Sequence, residues 1–279
     1  MRIGDFERAG LRFEVDDEGP LDGPLVVLLH GFPTDRSSWR RVAPLLHDAG
    51  LRTIAPDQRG YSSGAWPRGR AAYTSDQLVA DVVALADAAG VGRFHVVGHD
   101  WGGGVAWLTA GQHADRVASV TSLSTPHPIA TNRALRTSLD QARRSWYMAA
   151  IQLPRVPEWW FAPRMARTLA ADGLPAEDAQ RYAAHLAEPG ALTAAMNWYR
   201  GALLTRGVAH RCRVPAAFVW GERDSYLGPK AAALTAECVL ADYRFTRLPH
   251  GHWLPELAPR ECAAAILDRV TSAGEGSAS

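Results

Sequence analysis

The sequence predicts an α/β protein: a mostly parallel sheet flanked by helices, with a helical segment inserted before its last two strands. Short runs rich in Val, Ile and Leu alternate with longer helical patterns, as βα units feeding a parallel sheet require. From Ser124 to Pro215 helical patterning continues with no convincing strand, much longer than an ordinary crossover. A third observation is the apolar run Phe94–Val97, which passes through a glycine-rich turn into a helical pattern.

Phe6–Arg8 and Leu11–Val15 flank Ala9-Gly10 and predict an N-terminal hairpin. Six strands expected to be buried follow: Leu25–Leu29, Arg52–Ala55, Phe94–Val97, Val117–Leu123, Ala216–Trp220 and Tyr243–Leu248. Residues 126–207 then form a helical lid, splitting the core into residues 1–125 and 208–279, and Thr271–Ser279 reads as a frayed polar tail. Aromatics crowd the lid: Trp146, Tyr147, Trp159, Trp160, Phe161, Tyr182, Trp198 and Tyr199. They form either the lid's own core or the lining of a pocket against the sheet, where Trp159, Trp160, Phe161 and Met196 would make it apolar.

Composition excludes several classes. With 279 residues, 47% hydrophobic and 21% charged, the chain is globular and long enough to bury a sizeable core. Thirty basic against 29 acidic residues leave +1, without the positive excess that nucleic acid or an anionic membrane attracts. The apolar run Leu25–Leu29 is far below the ~20 residues of a membrane span, and the first residues lack the apolar stretch of a secretory signal. Cys212, Cys238 and Cys262 are odd in number, with no Cys-x-x-Cys pair, so neither a disulfide framework nor a zinc site is expected. The expected partner is a small uncharged molecule, and the expected compartment is the reducing cytoplasm.

Gly98-His99-Asp100-Trp101-Gly102 has the spacing of a tight strand-turn-helix elbow, in which small flanking residues let the backbone turn and push the central side chain out above the sheet. Asp100 would present a nucleophile already ionised at neutral pH; the plainer alternative is an aspartate capping the next helix. Three further segments favour the nucleophile. His30-Gly31-Phe32-Pro33 follows the first buried strand and offers the Phe32 N–H, beside that of Trp101, as an oxyanion hole. Its Phe32-Pro33 bond is a candidate for cis, and His30 is read as structural. An acid loop, Trp220–Leu227, and a histidine loop, Pro249–Glu256, follow the last two strands. Asp100, Asp224 and His252 thus occur in the chain order of a nucleophile-acid-base triad. Glu222 and His250 are the local rivals, His99 is expected to pack beside the elbow, and Arg59 to support the loop after Arg52–Ala55.

With these segments in view, the chain resembles an α/β-hydrolase fold epoxide hydrolase along nearly its whole length. His30-Gly-Phe-Pro33, Asp57-Gln-Arg-Gly-Tyr61, Gly98-His-Asp-Trp-Gly-Gly103, Gly221-Glu-Arg-Asp224 and Gly251-His-Trp253 match the family's motifs in order. The resemblance implies two lid phenols that hold the epoxide oxygen, and Tyr147 before Gln152-Leu-Pro154 and Tyr199 in Asn197-Trp-Tyr-Arg200 match them. The alternative for both is helix packing.

The same core motifs are shared with haloalkane dehalogenases. Trp101 with Trp146 or Trp198 would then hold the halide, although Phe32 stands where many dehalogenases carry Asn. Fluoroacetate dehalogenases typically carry Arg where this chain has Trp101. A non-catalytic receptor using the lidded pocket is a third reading, which would need no triad. The expected function is hydrolysis of an apolar epoxide to a vicinal diol. Asp100, His252, Asp224, Tyr147 and Tyr199 would be catalytic, Phe32 and Trp101 would be the oxyanion donors, and Phe32, Trp101, Trp146 and Trp198 would touch substrate. The route implies no metal or organic cofactor; its reactants are the epoxide and water.

Overall fold

The computed structural model describes residues 1–275. Its strands are β1 (Asp5–Arg8), β2 (Leu11–Glu18), β3 (Leu25–Leu29), β4 (Arg52–Pro56), β5 (Phe94–His99), β6 (Val117–Leu123), β7 (Ala216–Gly221) and β8 (Tyr243–Leu248). They form one sheet in the order β1-β2-β4-β3-β5-β6-β7-β8, antiparallel at β1-β2-β4 and parallel beyond. The predicted hairpin is present, and β2 runs past Val15 because Val15–Glu18 pair with β4.

The parallel strands are apolar throughout because both faces are covered. Leu25, Val27 and Leu29 enter one core layer, and Val26 and Leu28 enter the other, as the two-residue period of a strand requires. Helices α1 (Ala43–Asp48), α2 (Ser75–Ala88) and α3 (Trp101–Gln112) supply the crossovers of the first half. One expectation is corrected here. Tyr243–Leu248 forms β8 as predicted but is largely exposed, because it is the sheet's edge. Arg244, Thr246 and Arg247 face solvent and keep that edge charged, while Phe245 stacks on Phe218 at 5.4 Å.

Between β6 and β7 the chain makes seven α-helices: α4 (Pro128–Thr137), α5 (Leu139–Arg144), α6 (Trp146–Ala150), α7 (Val156–Phe161), α8 (Met165–Ala171), α9 (Ala176–His185) and α10 (Ala191–Ala202). The first are short for local reasons: Ser138 caps α5, and prolines open α4 and α7. Buried anchors tie the longer ones to the core. The Asp178 carboxylate of α9 meets Arg40 and Arg41, and the Tyr182 hydroxyl donates to Glu256 at 2.7 Å. Helices α11 (Pro229–Leu234), α12 (Leu254–Leu257) and α13 (Pro259–Glu275) complete the fold. The predicted tail from Thr271 is corrected in part: the helix continues through Glu275, and residues 276–279 lie outside the described residues.

Candidate active site

The strand after β3 in the chain lies on one side of it, and the next lies on the other, so the carboxyl ends of β3 and β5 border a topological switch point. The loops leaving these two ends meet there. Asp100 sits between β5 and α3 at φ 52° and ψ −123°, a strained conformation for a residue with a Cβ. The turn closes because its neighbours lack side chains: a Cβ on Gly31 would stand 2.4 Å from the Cβ of Asp100, and one on Gly102 would stand 2.2 Å from the Leu29 carbonyl. Asp100 makes no side-chain cap bond to α3. Its Oδ1 accepts the Phe32 N–H at 2.8 Å, next to the cis Phe32-Pro33 bond, and the Trp101 N–H also favours its ionised form.

The other Asp100 oxygen, Oδ2, lies 3.4 Å from His252 Nε2, whose Nδ1 is 2.8 Å from Asp224 Oδ2. Asp224 Oδ1 accepts the N–H groups of Tyr226 (2.7 Å) and Leu227 (2.9 Å). The His252 carbonyl is held by His99 Nε2 at 2.9 Å and by the Ser124 hydroxyl at 2.6 Å. The three side chains predicted as a triad are thus brought together, on loops after β5, β7 and β8. Glu222 is instead a surface partner of Arg247 at 2.6 Å. His30 is buried and structural: Nδ1 bonds the Gly31 carbonyl and Nε2 accepts the Gln58 N–H. Arg59 supports its loop through a buried two-bond pair with Asp81 at 2.8 Å.

Burial opposes charge on His252, but the Asp224 and Asp100 carboxylates on its two sides outweigh it and hold the imidazole proton well above the usual histidine range. Burial likewise opposes charge on Asp100, and the His252 bond reverses it, lowering the carboxyl below 3.8. On His99 the nearby carboxylates are outweighed; burial and its neighbour His252 keep it neutral, down to about 4.

A cavity of about 770 Å³ opens over Asp100 and His252, lined also by Phe32, Tyr147, Phe161, Met196, Tyr199, Tyr226 and Trp253. The Tyr147 and Tyr199 rings meet edge to face at 5.9 Å. Burial first, then nearby negative charge, keeps both phenols protonated. The segment Asn197-Trp-Tyr-Arg200 explains itself in three dimensions. Trp198 turns to the core, where its indole donates to the Arg59 carbonyl at 2.6 Å. Tyr199 turns to the cavity, and Arg200 clasps Glu158 and the carbonyls of Ile151 and Leu153.

Two substrate-contact expectations are therefore corrected. Trp198 is fully buried behind the cavity, and the Trp101 ring packs against Tyr199 at 4.8 Å without lining it. Of the three aromatics and one methionine expected to make the pocket apolar, Trp160, Phe161 and Met196 line it and Trp159 does not. Trp146 lines the rim and is 70% exposed.

Two contributors escaped the sequence. Tyr226 walls His252 at 4.8 Å while its backbone holds Asp224, and Asp172, after α8, accepts the Trp253 indole at 3.1 Å. Burial and the Asp172 carboxylate, by charge and hydrogen bond, keep the Tyr226 phenol protonated. Nearness of Tyr226 to Asp224 was a weak signal; Asp172 had none.

Residues 24–259 match the alpha/beta hydrolase fold family, and the chain belongs to it. It is 38% identical to AB hydrolase superfamily protein YfhM of Bacillus subtilis, over 93% of this chain and 94% of that protein. It is 32% identical to epoxide hydrolase A of Mycobacterium tuberculosis, covering 94% and 95% of the two chains. Among solved structures, epoxide hydrolase A from Mycobacterium thermoresistibile superimposes with a TM-score of 0.83 at 30% identity, covering 96% of this chain and 97% of that one. A Bacillus megaterium epoxide hydrolase variant, complexed with its product (R)-3-[1]naphthyloxy-propane-1,2-diol, gives 0.84 at 26% identity, with 96% and 99% covered.

Proposed function

We propose that this protein is an epoxide hydrolase acting on apolar epoxides, with residues 126–207 as the cap that selects them. The observation carrying this reading is one cavity lined at once by an ionised carboxylate, its histidine and two protonated phenols. A haloalkane dehalogenase would need indole N–H donors for halide. The Trp198 indole is committed to the Arg59 carbonyl, and the Trp101 ring packs against Tyr199 without lining the cavity.

Ring opening puts charge on a poor leaving group, the alkoxide oxygen. Asp100 Oδ2 attacks a ring carbon and inverts it, while one of the two phenols gives its proton to the oxygen. The ester carbonyl is then Oδ1, already seated on the Phe32 N–H. Esterification removes the charge of Asp100, one of the two carboxylates that hold the His252 proton. That proton returns to the tyrosinate, leaving neutral imidazole as the base. His252 next takes a proton from water, hydroxide adds to the ester carbonyl, and the oxyanion rests on the Phe32 and Trp101 amides. Collapse breaks the bond to the ester oxygen, which takes the proton of the added hydroxyl and leaves as the diol, restoring the Asp100 carboxylate with His252 protonated.

The test is intact mass of His252→Gln after incubation with an aryl epoxide and, separately, an alkyl bromide. A hydroxyalkyl adduct from the epoxide alone, absent when Asp100 is also Asn, is the expected result. An alkyl adduct from the bromide alone would replace the reading with dehalogenation, and no adduct from either would end it.

A further inference from the structure

The rim of the cavity gathers exposed apolar side chains. Trp146, Leu153, Val156 and Trp160 all line the cavity, yet each is more than half exposed, and Trp159 beside them is 76% exposed. Isolated exposed apolar groups are ordinary, but five around one opening form a patch with a use. Cations are interleaved with them. Arg143 lines the rim, Arg155 stands between Leu153 and Val156, and the Arg164 guanidinium lies 5.5 Å from the centre of the Trp160 ring. The two acids of this face are already engaged, Asp140 by Arg144 and Glu158 by Arg200. Residues 133–167 carry seven arginines against two acids, a net charge of +5 that Glu237, paired with Arg133, reduces to +4, in a chain of +1 overall.

We propose that this face docks on an anionic phospholipid surface, with the cavity mouth turned toward the bilayer. Tryptophan suits that boundary because its ring is apolar and its N–H is polar, and arginines beside it meet lipid phosphates. The docking is peripheral: no helix among the described residues is long and apolar enough to cross a membrane. The near-neutral charge of the whole chain conceals the site, because the opposing acids lie elsewhere. The binding is independent of the proposed chemistry; if both hold, an apolar substrate enters from the lipid without crossing water.

The full chain is tested by sedimentation with vesicles of phosphatidylcholine alone or mixed with phosphatidylglycerol. Cosedimentation with the anionic vesicles only, at about 0.1 M salt and reversed at about 0.5 M, is expected. The double variant Trp159→Ser, Arg155→Asn removes two rim groups outside the site and should weaken that binding about tenfold, with an unchanged far-UV spectrum and melting temperature. Absence of binding to the anionic vesicles, or equal binding by variant and parent, overturns the proposal. So does a dimer in lipid-free solution that the variant splits, since a second copy would then cover the face.

Discussion

The two halves of the site are built differently. The half on the sheet places Asp100, Asp224 and His252 on loops after β5, β7 and β8, the last two buried, and braces them through the backbone: Phe32 N–H on Asp100, Tyr226 and Leu227 N–H on Asp224, and the Ser124 hydroxyl on the His252 carbonyl. The half on the insertion places Tyr147 on the short helix α6 and Tyr199 on the longer α10, held by packing and by a few long side chains such as Arg200. Bond making tolerates little displacement, and the proposed chemistry falls where the backbone itself is the brace. Substrate shape varies, and it is met where helices end at an exposed rim.

Breaking the sheet half should cost most. Asp100→Asn, which suits the positive φ, should lower turnover of an aryl epoxide about ten-thousand-fold without changing the fold, measured by steady-state kinetics beside circular dichroism. Retained turnover would transfer the nucleophile elsewhere. On the insertion half, Tyr147→Phe and Tyr199→Phe should each slow ester formation about a hundredfold and leave ester hydrolysis nearly unchanged, read by single-turnover quench. An equal loss in both steps would make the phenols structural.

The halves meet at Asp172. It belongs to the insertion but reaches Trp253, next to the proposed base His252, and Tyr226, beside Asp224. Asp172→Asn should therefore slow ester hydrolysis about tenfold while ester formation stays within about twofold, the scale of one charged hydrogen bond. Restoration by Asp172→Glu would separate positioning from bulk packing.

The smallest effect concerns the second seam, at Glu256. Burial raises this carboxyl from 4.5 to about 7, and one of its oxygens has no partner. A raised carboxyl contributes stability that is present below the unfolded value and lost as pH rises toward and through 7. Glu256→Gln, which keeps an acceptor for Tyr182, should gain about 2–4 °C above pH 7 and little at pH 4.5, measured as melting temperature against pH.

The sheet was readable because strands covered on both faces need unbroken apolar runs, as in Leu25–Leu29, and the elbow because Gly31 and Gly102 must lie beside another backbone. Residue type and order therefore determined by themselves the parallel sheet, the inserted helices and the candidates Asp100, Asp224 and His252. Helical periodicity says that a residue faces inward, not whether inward is core or cavity. Trp198 and Tyr199 are adjacent aromatics, yet one serves the Arg59 carbonyl and the other the cavity. Exposure of β8 depended on which strand became the edge, and Asp172 reaches its partners only after α8 packs over the sheet. Those outcomes belong to tertiary structure, because they depend on which surface each element meets, and a local sequence pattern carries no record of its distant neighbours.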